Sequence, residues 1–250
     1  MPEGYFPDGL TDDRLLGGRV RIAQPVDGYR VAVDPVLLAA AVPAERGQIV
    51  VDFGAGTGAV GLCLAVRVPT CCIVSIEREG DLAALAQANA RANSFGGRLL
   101  AVQADIANPP LSPASLDHVA MNPPYMAADN GTAPTGRLRH VAAVEGAAKL
   151  QRWIASAFDL VKPGGTITLI HRADRLDEIL FHCRSVQAGG LTVWPIWPKA
   201  SQPAHRVILC LRKADRSPMR LLSGLVLHRS DGAFTDAADA ILRDAAAIPR

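Results

Sequence analysis

Two stretches of this chain carry residues whose types and spacing can do chemistry. The first is Asn122-Pro123-Pro124-Tyr125. Its two prolines fix the backbone and remove two N–H donors. What projects is the Asn122 side chain, the Pro123 carbonyl and the Tyr125 ring. The Asn oxygen and the carbonyl are both acceptors. They suit an –NH₂ group: each takes one proton, and the nitrogen lone pair is left to attack. The Tyr125 ring offers a flat face on which a base can stack, worth ~1–3 kcal/mol. Asn122, Pro123, Pro124 and Tyr125 are therefore the candidate catalytic residues. The plain alternative is a turn, which Asn-Pro pairs also mark.

The second stretch is Asp52-Phe53-Gly54-Ala55-Gly56-Thr57-Gly58. A glycine-rich turn between a strand and a helix lets backbone amides approach a nucleotide-like ligand. The dehydrogenase fingerprint is Gly-x-Gly-x-x-Gly. Here Gly54, Gly56 and Gly58 give Gly-x-Gly-x-Gly, preceded by the acid Asp52. That acid would serve a pyrophosphate poorly. A ligand with an α-amino group and a sulfonium would tolerate it or use it. Glu77 closes the next apolar run and is placed to accept hydrogen bonds from ribose hydroxyls. Asp105 follows the run after that.

These residues need elements that bring them to one edge. Apolar runs over 48–53, 71–77, 99–103, 116–121, 166–171, 191–197 and 206–212 read as strands. Helical stretches over 57–67, 80–93, 146–161 and 174–186 alternate with them. Strands alternating with helices mean βαβ units and a mostly parallel sheet. Continuous apolar runs fit strands covered on both faces. The expected fold is α/β, a Rossmann-like doubly wound sheet of seven strands with helices on both faces. Upstream, residues 18–24 alternate polar and apolar, and are expected to form a hairpin with 29–33. Asp34 is expected to cap a helix beginning at Pro35. The expected division is a catalytic domain over 46–213, an N-terminal extension over 1–45 and a C-terminal extension over 214–250. Residues 127–139 read as a lid over the tetrapeptide.

Composition narrows the class. Of 250 residues, 49% are hydrophobic and 20% charged, as in a globular protein rather than a disordered one. No apolar run reaches the ~18 residues that span a bilayer. The first residues lack a basic segment followed by an apolar core, so no signal peptide is expected, and the cytoplasm is the expected location. The five cysteines show no metal-site spacing, so buried, reduced thiols and no metal are expected. A net charge of +2 does not by itself imply a polyanionic partner. Its distribution says more: Lys199, Arg206, Arg212, Lys213, Arg216, Arg220 and Arg229 face only Asp215 between 199 and 229. They form either a phosphate-contacting patch or a solvated edge.

An acid followed by Gly-x-Gly-x-Gly resembles the first motif of the class I S-adenosylmethionine-dependent methyltransferases. Asn-Pro-Pro-Tyr resembles the signature of those that methylate adenine N6, cytosine N4 or a glutamine amide. The segment Gln24-Pro25-Val26-Asp27-Gly28-Tyr29-Arg30, with Asp34 and Leu37-Leu38, is similar to the entry segment of the bacterial tRNA1(Val) adenine-N6-methyltransferases. His171-Arg172 and Pro203-Ala204-His205-Arg206 resemble that family too. The resemblance implies S-adenosylmethionine as cofactor. Its site would comprise Tyr29, Arg30, Asp34, Asp52, Gly54, Gly56, Gly58, Glu77 with its neighbour Arg78, Asp105, Ile106 and Asn122. Asp105 would accept from the adenine amino group, with Ile106 beside the ring. Tyr29, Arg30 and Asp34 would close over the cofactor. An RNA substrate, a tRNA first of all, would be gripped by Arg137, Arg139 and Arg206. A protein glutamine, rRNA or DNA are the alternative substrates. A non-catalytic binding scaffold and a dinucleotide-dependent oxidoreductase are the alternative classes.

Overall fold

A computed structural model describes residues 9–27, 30–124 and 150–249. The chain opens with a hairpin of β1 (Leu10–Leu15) and β2 (Val20–Pro25), paired from Leu10↔Pro25 to Leu15↔Val20. The partner of the 18–24 segment is thus the strand before it, not 29–33. Gly17 and Gly18 between the strands take φ of 63° and 96°, which closes the turn. α1 (Asp34–Ala41) follows, with Val33 at its N-cap. Asp34 is not the cap. It is the first helical residue, and its carboxylate pairs with Arg206 Nε at 3.1 Å.

The rest alternates as the apolar runs imply. β3 (Ile49–Phe53), α2 (Ala59–Arg67), β4 (Cys72–Glu77), α3 (Gly80–Ala92), β5 (Leu99–Gln103) and β6 (Leu116–Met121) come first. α4 (Leu150–Leu160) leads into β7 (Val161–Arg172). Trp153, Ile154, Ala157 and Leu160 are buried, one stripe of α4 at helical spacing. Lys162-Pro163-Gly164-Gly165 lies within β7. The pairing of β6 with β7 shifts register there, and Gly164 takes φ of 81°. α5 (Leu176–Ser185), β8 (Gly189–Lys199) and β9 (Arg206–Arg212) complete the expected set.

Among the described residues the sheet has nine strands, not seven, in the order β10 (Arg220–Leu221)-β8-β9-β7-β6-β3-β4-β5, with β11 (Leu225–His228) also on β8. The extra strands come from the tail: β10 and β11 pair parallel to β8 in succession. β9 runs antiparallel to both β7 and β8. α6 (Asp236–Asp244) is capped by Thr235, whose hydroxyl accepts the Ala238 N–H. Ile241 and Ile248 from the tail share a buried cluster with Leu16, Val20 and Ile22 of the hairpin and with α1. Arg19 pairs with Asp244, and Trp194 donates to the Pro249 carbonyl at 2.8 Å. Both extensions therefore pack on one side of the sheet and on each other.

Cys63, Cys71 and Cys183 are buried and Cys210 half-buried, but Cys72 is exposed, against the expectation of burial. Among the described residues, no helix is long and apolar enough to cross a membrane, and no group of three His, Cys, Asp or Glu residues could hold a metal ion.

Candidate active site

β3, β4 and β5 are neighbours, and β6 flanks β3 on its other side. Phe53 faces Ile76 and Met121, and Glu77 faces Gln103. The glycine turn, Glu77, Asp105 and Asn122 therefore leave the sheet side by side at its carboxyl edge, where open α/β sheets bind ligands.

Gly54, Gly56 and Gly58 all take left-handed φ, 65°, 55° and 88°. Only glycine does this without strain. Each also meets different surroundings. A Cβ on Gly54 would lie 2.4 Å from Trp153 Cη2, and one on Gly58 would lie 3.2 Å from Ala86 Cβ. A Cβ on Gly56 would meet nothing within 4 Å among the described residues, so the turn opens outward there. Glu77 holds this shape. Its Oε2 accepts the Gly56 N–H at 2.8 Å and its Oε1 the Glu79 N–H at 3.0 Å. A carboxylate has about four lone-pair sites, so capacity remains on both oxygens.

Asp52 sits differently from the cofactor contact expected of it. It is 1% exposed and accepts from the backbone of Gly61 in α2, so it faces the helix beneath the turn. Its Oδ2 finds no partner among the described residues. Burial, with the charge of Glu77 adding to it, pushes its carboxyl up to about 8. Its raised carboxyl favours the protonated form at neutral pH, and its bond to Gly61 joins β3 to α2.

Asp105 is exposed, and its Oδ1 accepts the Ala107 N–H at 2.8 Å, which leaves acceptor capacity on its carboxylate. Ile106 beside it is 7% exposed and offers an apolar flank. Arg78 is exposed and pairs with Glu79 at 3.3 Å. Arg30 reaches back to the hairpin: it donates to Thr11 Oγ1 at 3.1 Å and to Asp13 at 2.7 Å. Asp34 and Arg206, expected as a cofactor contact and an RNA contact, pair with each other. Asn122 is half-buried at the end of β6, and Pro123 is buried. Tyr29, Tyr125, Arg137 and Arg139 lie outside the described residues.

The residues present fit an adenosyl donor. A glycine turn opens outward, the Glu77 carboxylate beside it has acceptor capacity to spare, and the apolar Ile106 stands next to the acid Asp105 on the same edge. The same edge continues to Asn122. His171, near the end of β7 beside β6, is buried, and burial lowers its imidazole to about 4, so it is neutral at pH 7.

Two residues escaped sequence reasoning. Trp153 packs edge-to-face on Phe53, with centroids 6.5 Å apart, and presses on Gly54. Asn89, in α3, is 3% exposed and donates to the Thr57 carbonyl at 3.0 Å. An asparagine buried inside an Ala-rich helix was the available signal.

Comparison with known proteins agrees with this architecture. The model of the methyltransferase small domain family matches residues 31–180. The tRNA1(Val) (adenine(37)-N6)-methyltransferase of Aeromonas hydrophila is 28% identical over 209 residues, 83% of this chain and 86% of that protein. The protein of the same name from Porphyromonas gingivalis is 28% identical over 87% of this chain and 88% of its own length. Among solved structures, a predicted O-methyltransferase from Agrobacterium tumefaciens superimposes with a TM-score of 0.73 at 27% identity, over 87% of this chain and 99% of that one. The M. jannaschii TYW2 bound to AdoMet gives a TM-score of 0.59 at 16% identity, over 82% and 86%, a likeness of fold.

Proposed function

We propose a reaction for a chain that belongs to the methyltransferase small domain family: transfer of a methyl group to the exocyclic N6 of adenine in RNA, a tRNA first of all. The enzyme is an S-adenosylmethionine-dependent methyltransferase. When bound, that cofactor supplies an electrophilic sulfonium methyl group. The observation that carries the substrate reading is the place of Asn122 and Pro123, one strand from Gly54 at the same edge. The names of the relatives at 28% identity point to the same substrate.

Asn122 Oδ1 and the Pro123 carbonyl accept the two amino protons and aim the nitrogen lone pair at the glycine turn. As positive charge grows on that nitrogen, the two acceptors stabilise it, a contribution of roughly 3–4 kcal/mol for one such group elsewhere. Tyr125 follows directly in the chain and supplies the stacking face. Glu77 offers its spare lone pairs to the ribose hydroxyls, and Asp105 its own to the adenine amino group. Residues 46–213 do the chemistry on this reading, and the segments 1–45 and 214–250 support them. RNA modification places the enzyme in the cytoplasm.

The deciding experiment offers bulk tRNA, rRNA and a release factor in parallel to the enzyme with tritium-labelled S-adenosylmethionine, the RNA taken from a strain lacking the gene, followed by nucleoside and amino-acid analysis. Labelled N6-methyladenosine is expected. Label only in rRNA, or in the glutamine of a release factor, would replace the substrate while keeping the chemistry.

A further inference from the structure

Ala86 and Asn89 of α3, and Asn93 at its C-cap, lie on one side, spaced by three and four residues. That side looks at two things at once: the outer edge of β2 and the glycine turn. Asn89 Oδ1 accepts the Ala23 N–H at 2.9 Å. Its Nδ2 donates to the Ala23 carbonyl at 3.0 Å and to the Thr57 carbonyl at 3.0 Å. Two of these bonds imitate a strand on the free edge of β2, since β1 holds the other edge. The third reaches into the turn. Asn93 repeats the first half only. Its Oδ1 accepts the Arg21 N–H at 2.8 Å, and its Nδ2 donates to the Arg21 carbonyl at 2.6 Å. Its third bond goes to Asn89's own carbonyl at 2.8 Å, not to the turn.

We infer that Asn89 is a positioning residue for the cofactor turn, coupling the N-terminal hairpin to S-adenosylmethionine affinity. Thr57 sits between two glycines in left-handed conformation, where the chain has most freedom to lose. Two polar side-chain ties hold that stretch. Glu77 fixes the Gly56 N–H from β4, and Asn89 fixes the Thr57 carbonyl from α3. Ala86 Cβ lies close against Gly58, so α3 supplies a stop as well as a tether. Glu77 is also the residue assigned to the ribose. Asn89 has no such second duty, and all of its amide hydrogen-bonding groups are spent on backbone. It sets how far the turn stands from the hairpin, and so where the ligand-facing amides point. A turn set in its binding conformation beforehand costs the ligand less to order.

The inference rests on the cofactor reading above, and the pair of asparagines gives its own control. Affinity for S-adenosylhomocysteine is measured by calorimetry, without RNA, for the native protein and for Asn89→Ala, Asn89→Asp and Asn93→Ala. Asn89→Ala is expected to weaken binding about tenfold, the size of one lost buried hydrogen bond. Asn89→Asp keeps the acceptor for Ala23 but sets an oxygen against two carbonyls, and is expected to weaken it at least as much. Asn93→Ala loses the same clasp on β2 and is expected to change affinity less than about twofold. Equal losses at 89 and 93, or native affinity in Asn89→Ala, would overturn the inference. Should the variants fail to fold, the native protein still decides. Coupling is reciprocal, so saturating S-adenosylhomocysteine must slow amide hydrogen exchange at Ala23 more than at Arg21. Unchanged exchange at Ala23 overturns the inference. A native protein that binds neither S-adenosylmethionine nor its product would overturn the cofactor reading itself.

Discussion

At the amino end of β6, Asp117 accepts the Ile49 N–H at 2.8 Å and pairs with Lys162 at 2.5 Å. Next to it, His118 bonds Thr166 Oγ1 through Nδ1 and Gln48 Oε1 through Nε2, each at 2.8 Å. Burial alone would raise the Asp117 carboxyl, but the Ile49 N–H and Lys162 together hold it below its usual range. At the carboxyl end of the neighbouring strands, polar side chains bond a loop's backbone instead. Glu77 holds Gly56, Asn89 holds Thr57, and Asp105 holds Ala107. The difference lies in what is left over. At the amino end, Asp117 and His118 pair with the side chains of Lys162, Thr166 and Gln48, and Asp117 also takes the Ile49 N–H, which closes the strands together. At the carboxyl end, side chains shape a turn, and the carboxylates of Glu77 and Asp105 keep acceptor capacity to spare. A buried polar group that is fully matched stabilises a fold. One that is matched only to backbone, with capacity to spare, can also serve a ligand.

Asn122 tests the comparison most severely. On the reading proposed above, Asn122→Ala removes an acceptor for the reacting nitrogen. A fall in kcat of about 10²–10³ is expected, as for the loss of one preorganised polar group in an active site. S-adenosylhomocysteine affinity should change less than about twofold. Single-turnover transfer to tRNA and calorimetry separate the two. A native rate in that variant would put the carboxyl end on the same purely structural footing as Asp117.

Gly54→Ala tests the turn. The substitution asks an L residue to hold φ of 65° with its Cβ 2.4 Å from Trp153. Strain and overpacking together should cost roughly 2–4 kcal/mol, seen as a lower urea midpoint. Pairing it with Trp153→Leu relieves the contact but not the φ. The double variant should therefore recover part of the loss and not all of it. Full recovery would show that the left-handed conformation itself is cheap.

The motifs were legible because each is local. Gly-x-Gly-x-Gly and Asn-Pro-Pro-Tyr read directly as a turn and an acceptor pair, and the apolar runs at 99–103, 116–121 and 206–212 read as strands to the residue. What was missed is held by residues far apart in the chain. Asp34 looks like a cap until Arg206 arrives from β9. The hairpin partner of β2 was misassigned because both flanking segments carry extended residues, and only packing on α3 separates them. The 220–228 strands are too short to show a period and form only because the edge of β8 accepts them. Asp52 was read as a ligand contact from its place in a motif. Sequence does not say which way a side chain at a strand end points, and this one points under the turn.

That buried acid predicts a pH dependence of smaller size. The carboxyl of Asp52 is raised from 3.8 to about 8, so the folded protein binds a proton that the unfolded chain releases. Its stabilising state is fully present below the unfolded value and is lost as pH rises toward 8. His171 works in the opposite window. Lowered from 6.5 to about 4, it leaves stability intact above 6.5 and removes it as pH falls toward 4. Between pH 6.5 and 8 the Asp52 effect stands alone. Stability there should fall by on the order of 2 kcal/mol in the native protein and stay nearly flat in Asp52→Asn. Denaturation at several pH values checks it. A native profile that is equally flat would mean that Asp52 is ionised and matched, like the groups at the amino end.

The smallest effect is expected in the basic segment of the tail. Most of its charges are already committed: Lys199 donates to the Ser230 carbonyl, Lys213 to that of Phe158, Arg212 to that of Gly164, and Arg229 pairs with Asp236. Arg220 is exposed, but it lines a groove with Thr166, Thr192, Arg212 and Asp215. Thr166 and Thr192 lie in the first halves of β7 and β8, and Arg212 ends the antiparallel β9, so the groove lies toward the amino end of the sheet. An adenine presented to Asn122 approaches the opposite end. Arg220→Ala should therefore change kcat/KM for tRNA less than about twofold and leave its salt dependence unaltered, because a lost phosphate contact would lower that slope by about one. A shallower slope would carry the RNA backbone around to the amino end and make the tail part of the substrate surface. An unchanged slope leaves β10 and β11 with the role their pairing already gives them, covering an edge of β8 that would otherwise be open.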